Sequence, residues 1–143
     1  MKRMTNLSLV LLLVIGFVSC GNSQTQEKAS SNKTQTKAIA KNIGTNEFEE
    51  MMTSKKDVVI LDVRTSEEVA AGAIEGSTHL DIYSPNFKST LEEMDKSKPV
   101  MVYCAVGGRS GQAMQMMKKM GFKEVYNLSG GIRAWQSEGK PVK

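Results

Sequence analysis

From Ile39 to the end of the chain, short apolar runs alternate with segments whose apolar residues recur at helical spacing. Val58-Val59-Ile60-Leu61 and Val100-Met101-Val102-Tyr103 are continuous apolar runs, the pattern of strands covered on both faces. Glu124 to Leu128 predicts a further strand, and Thr78 to Ile82 a short one. Helical signals lie between them. Phe48, Met51 and Met52 fall at helical spacing in a short helix over Glu47 to Thr53, with Asn46 and Glu49 as its capping pair. Thr65 and Glu68 form a capping-box pattern that opens a second helix, ended near Gly72. Ser84-Pro85 puts proline in the first turn of a helix reaching about Met94. The longest helix runs from Arg109 to Met120 and is stopped by Gly121; a last one, Gly131 to Ser137, is ended by Gly139. Strands alternating with helices require crossover connections. The expected fold is therefore α/β: a mostly parallel sheet of four to five strands with helices on both faces. Ligands of such sheets sit beyond the carboxyl ends of the strands, where Val100 to Tyr103 delivers Cys104.

The first 38 residues follow other rules. Lys2 and Arg3 precede an apolar run from Leu7 to Val18, shorter than the about 20 residues that cross a bilayer. A basic start, a short apolar core and small residues after it predict an export signal over residues 1–19 rather than an uncleaved anchor. Gly21 to Ala38 is rich in Ser, Asn, Gln, Thr and Lys and has no aromatic residue. It is too polar to bury a core and is expected to be a disordered tether. Residues 39–143 are then the one folded domain.

Charge adds little. The net charge is +4, and two of the basic residues, Lys2 and Arg3, belong to the leader. Without a basic stripe interleaved with aromatics there is no case for nucleic acid as a partner.

The cysteines change the picture. Cys20 follows Phe17-Val18-Ser19, which resembles the lipobox of bacterial lipoproteins, with Phe17 where Leu is usual. That resemblance implies lipidation of Cys20 and a membrane anchor without a spanning helix, placing the chain outside the cytoplasm at the periplasmic face of an outer membrane. Cys104 is then left without a disulfide partner. It opens the segment Cys104-Ala105-Val106-Gly107-Gly108-Arg109-Ser110, which leads into the longest helix. Adjacent glycines let the backbone turn its amides inward, and inward amides at a helix start form an anion nest. Those donors, the helix dipole and Arg109 all favour a thiolate at Cys104 and would hold a persulfide as well. A cation at a helix N-terminus is unfavourable for the helix itself, which argues that Arg109 serves the loop. Ser110 is expected to cap the helix, with its hydroxyl able to face the loop.

Taken with its neighbours, this segment resembles the active loop of the rhodanese family, commonly Tyr-Cys-x-x-Gly-x-Arg-Ser. Leu61-Asp62-Val63-Arg64 resembles the family's Asp-Val-Arg signature, and Gly72-Ala73-Ile74-Glu75-Gly76 its Gly-His-Ile-Pro-Gly segment. Leu128-Ser129-Gly130-Gly131-Ile132-Arg133-Ala134-Trp135 resembles its C-terminal Gly-Gly-x-x-x-Trp. Ala73 and Glu75 depart from the usual His and Pro. The resemblance implies a rhodanese-like sulfurtransferase in which Cys104 takes sulfane sulfur from thiosulfate or another small anionic donor. It then passes that sulfur to a thiophilic acceptor. Residues 105–110 would bind the donor, no metal or organic cofactor would be needed, and the protein would act as a monomer.

Other residues carry blander readings. Asp62 and Arg64 are expected to form a structural charge pair at the end of the central strand, supporting the site. His79 is the only histidine and nothing pairs it with Cys104. Met114, Met116, Met117 and Met120 are expected to fill core space, and Trp135 to anchor the last helix. Three rivals to sulfur transfer stand beside it. A phosphatase would wrap phosphate with Cys-x5-Arg, whereas Cys104 to Arg109 is Cys-x4-Arg, and no Asp general acid is evident. A non-catalytic docking module has no use for the retained loop. A redox or persulfide sensor would use the same lone thiolate.

Overall fold

The computed structural model describes residues 37–143. The leader, the lipobox-like Cys20 and most of the tether lie outside them. Five strands form one sheet: β1 (Ile39–Ile43), β2 (Val59–Asp62), β3 (Thr78–His79), β4 (Val100–Tyr103) and β5 (Glu124–Leu128). Their order is β1-β5-β4-β2-β3 and every pairing is parallel. Five helices connect them: α1 (Thr45–Ser54), α2 (Ser66–Ala70), α3 (Phe87–Glu93), α4 (Gly108–Lys119) and α5 (Gly131–Ser137).

The apolar runs read as doubly covered strands because they are. Alternate residues of β4 point to opposite faces. Val100, Val102 and Cys104 join Phe87 and Leu91 of α3 and Ala113, Met114 and Met117 of α4. Met101 and Tyr103 join Phe48 of α1 and Ile132 and Trp135 of α5. Trp135 is the expected anchor: it is buried, and its Nε1–H donates to the Pro141 carbonyl at 2.9 Å. Of the four methionines on the long helix, Met114 and Met117 are core. Met116 and Met120 are only half-buried, lining a groove between α3 and α4, because the helix turns that stripe toward solvent.

Several boundaries differ from expectation. β1 has no strand signal because it is an edge strand with a single buried residue, Ile43. α1 starts two residues early, at Thr45, with Gly44 in the capping position, so Asn46 and Glu49 lie inside the helix and cap nothing. The helix expected from Pro85 begins at Phe87. Ser84 to Phe87 instead closes a tight turn, with the Phe87 amide donating to the Ser84 carbonyl at 3.0 Å, and Pro85 occupies its second position. The strand expected to reach Ile82 is assigned only over Thr78–His79. β2 is not the central strand; β4 is.

The strand order explains where a site can form. β2 connects outward to β3, whereas β4 connects the other way, to β5. Adjacent strands whose connections diverge leave a crevice at their carboxyl ends. Asp62 ends β2 and pairs in register with Tyr103, which ends β4, so Cys104 and Arg64 emerge on the rim of that crevice.

Candidate active site

The segment after β4 turns directly around the Cys104 sulfur. Cys104 has no exposed surface. Its Sγ accepts the Gly107 amide at 3.1 Å and the Ser110 hydroxyl at 3.4 Å. Gly107 takes φ +92°, a left-handed conformation that swings its amide inward, and is the residue from which α4 starts. Ser110 therefore does not cap the helix. It sits in the first turn, fully buried, with its hydroxyl spent on the sulfur. Burial pushes the Cys104 thiol up, but the Ser110 hydroxyl and the backbone amides of Ser110, Val106 and Gly107 outweigh it, so the thiol titrates below its ordinary range. The donors around the sulfur thus ease formation of a thiolate in a buried site.

The outer side of the loop is clamped by α5. The amide of Ile132 donates to the Cys104 carbonyl at 2.9 Å, and that of Arg133 to the Ala105 carbonyl at 3.2 Å. With these carbonyls held outward, the amides that follow face the sulfur. The approach is possible only because Gly131 has no side chain: a Cβ there would lie 2.3 Å from the Cys104 oxygen. Asn127 on β5 completes the clamp, its Nδ2 donating to the Gly107 carbonyl at 3.1 Å and to Asn42 Oδ1 at 2.9 Å. The rim is less confined. Ala105 is half-buried, Gly108 is exposed, and Val106 is an exposed apolar side chain.

Arg109 does not stand free over the thiolate. Its two terminal nitrogens reach both carboxylate oxygens of Glu68, at 2.7 and 2.6 Å. Glu68 has a second role, as the expected capping box. Its Oε2 accepts the Thr65 amide at 3.1 Å while its own amide reaches Thr65 Oγ1 at 3.4 Å. The Arg109 guanidinium holds the Glu68 carboxyl down at about 2. Arg109 is raised in turn, first by Glu68 and more weakly by Cys104.

Asp62 and Arg64 form the expected structural pair. Both are buried, and Arg64 Nη2 meets Asp62 Oδ2 at 2.6 Å. The guanidinium also donates to the carbonyls of Glu68 at 3.0 Å and Gly72 at 2.8 Å, fastening α2 to the sheet. It lies over the Tyr103 ring, whose hydroxyl accepts the Ile74 amide at 3.1 Å and whose pKa is pushed up to about 12, chiefly by burial. His79 sits on β3, two strands from β4, and bonds the Arg64 carbonyl at 2.8 Å. Sequence reasoning missed the grip of Glu68 on Arg109 and the clamp by Asn127 and Gly131. The Gly130-Gly131 pair, one residue beyond a strand, was the one available signal.

The family model described as "Rhodanese-like domain" matches residues 44–138. A protein of Allochromatium vinosum named "Sulfurtransferase" is 32% identical over 100 residues, covering 70% of this chain and 92% of that protein. A "Thiosulfate sulfurtransferase GlpE" of Coxiella burnetii is 37% identical over 86 residues, covering 60% of this chain and 78% of its own. The crystal structure of a rhodanese-like domain protein from Staphylococcus aureus superposes with a TM-score of 0.62 at 31% identity, covering 72% of this chain and 98% of that one.

Proposed function

Because the chain belongs to the rhodanese-like family, we propose that it is a sulfurtransferase that carries sulfane sulfur as a persulfide on Cys104. One observation supports the reading above all: the Gly107 amide and the Ser110 hydroxyl converge on Cys104 Sγ inside a loop whose carbonyls are held away from it. In the first half-reaction the thiolate attacks the outer sulfur of thiosulfate or a related donor. A new sulfur–sulfur bond forms, the donor's own sulfur–sulfur bond breaks, and its electron pair leaves with sulfite. A thiolate and a dianion become a persulfide anion and a sulfite dianion, so charge balances. In the second half-reaction a thiophilic acceptor, such as cyanide or a thiol, attacks the outer persulfide sulfur and the thiolate is restored. Donors preorganised around a fixed anion serve both steps without rearranging. The sulfur is fully buried, and the half-buried Ala105 and exposed Val106 follow it along the rim of the loop.

The test is thiosulfate:cyanide turnover beside Cys104→Ser, with intact mass measured after donor alone. Ping-pong kinetics, loss of turnover in the variant and a gain of about 32 Da on wild type are expected. No turnover and no added mass with several sulfur donors would replace this reading with a docking or redox-sensing role. Export and lipid attachment at Cys20 belong to the same proposal. A diacylglyceryl mass on the membrane-extracted protein, lost in Cys20→Ala, is expected; an unmodified cysteine would refute that part.

A further inference from the structure

Arg109 is the only charged residue between Cys104 and Ser110. Both of its terminal nitrogens are bound end-on to Glu68, at 2.7 and 2.6 Å, the strong bidentate form of the guanidinium–carboxylate contact. The pair is partly shielded, with 20% and 33% of the two side chains exposed. Glu68 is itself held from two sides. Thr65 fixes its carboxylate through the capping box, and Arg64, locked by buried Asp62, holds its carbonyl. The carboxylate is therefore built into its place and is not a mobile surface group that a ligand displaces at little cost.

We infer that Glu68 sets the charge of the sulfur donor: by closing Arg109 into an ion pair it leaves the loop without a free cation, so the site favours monoanionic donors over dianionic ones. This rests on the sulfur-transfer reading above. A donor must approach a thiolate that is already negative. With Arg109 free, that charge would be balanced; with Arg109 paired, each unit of donor charge meets net repulsion. Arg109 directly precedes Ser110, whose hydroxyl reaches Cys104 Sγ at 3.4 Å, so its neutralisation is felt beside the sulfur. The guanidinium keeps its Nε–H and one N–H on each terminal nitrogen as donors, while its charge is matched by Glu68. Arg133, whose amide holds the Ala105 carbonyl, is exposed, and its charge is screened by solvent.

Glu68→Gln tests this cleanly, since Gln also serves at the third position of a capping box. Two matched comparisons are made on wild type and variant. The first is the rate of Cys104 alkylation by iodoacetate against iodoacetamide, read by peptide mass, which needs no sulfur transfer. The second is kcat/KM for thiosulfate, a dianion, against methanethiosulfonate, a monoanion with the same sulfane sulfur and a sulfinate leaving group. Glu68→Gln is expected to raise both ratios by about tenfold, the second through a lower KM for thiosulfate. An unchanged alkylation ratio overturns the inference whether or not either donor is turned over. A raised alkylation ratio with an unchanged donor ratio overturns it too. If wild type turns over neither donor, the sulfur-transfer reading fails by itself and the alkylation ratio alone decides the charge effect.

Discussion

Gly131 is where one methyl group should disable the loop without touching the sulfur. Its φ is +59°, and a Cβ built there would stand 2.3 Å from the Cys104 oxygen and 2.6 Å from the Ala105 carbonyl carbon. Ordinary contact begins near 3.4 Å, so either the loop or the start of α5 must retreat by about 1 Å. Neither the Ile132–Cys104 nor the Arg133–Ala105 backbone bond survives such a shift in its present form. A misplacement of about 1 Å in a preorganised site costs on the order of 100-fold in rate. The left-handed backbone adds about 1–2 kcal/mol of strain for any side chain. Gly139→Ala supplies the control: its φ is +72°, but nothing lies within 4 Å of its Cβ. Both variants should therefore lose stability, by about 4–8 °C in Tm per kcal/mol. Only Gly131→Ala should lose on the order of 100-fold in thiosulfate kcat/KM, together with the normal pH profile of Cys104 alkylation. If Gly131→Ala keeps more than about a third of wild-type kcat/KM, or if both variants lose activity alike, the clamp does not hold the loop in place.

Three further outcomes follow from the same geometry. Asp62→Ala strands the buried Arg64 guanidinium and should cost about 3–5 kcal/mol in urea unfolding; a loss below about 1 kcal/mol would show that the pair is dispensable. Ser110→Ala removes a donor to the sulfur, so the thiolate should form at higher pH. Alkylation by iodoacetamide followed against pH checks this, and an unmoved profile refutes the donor role of the hydroxyl. Glu68 is held at about 2 in the folded protein against an ordinary 4.5. Its contribution to stability is therefore present above pH 4.5 and lost as pH falls toward 2. Acid unfolding of Glu68→Gln should lack that slope, and identical acid profiles would contradict it.

What was legible in the chain was what local chemistry dictates. β4 stands where its apolar run lies, because a strand buried on both faces leaves little room for polar residues. The Thr65–Glu68 capping box and the glycine stops at Gly121 and Gly139 are equally local, since a cap or a positive φ is satisfied within a few residues. The loop from Cys104 to Ser110 was legible for the same reason: its donors and its sulfur are near neighbours in sequence. β1 was not, because an edge strand with one buried residue carries almost no alternation. Nor was the partnership of Arg109 with Glu68, 41 residues apart, or the grip of Asn127 on Gly107, 20 apart. Sequence by itself determined most of the elements and the composition of the loop around Cys104. Only the parallel order β1-β5-β4-β2-β3 decided which carboxylate neutralises the loop's cation and which helix start clamps its carbonyls. Those contacts join segments that crossover connections bring together, and no local preference encodes a distance across the sheet.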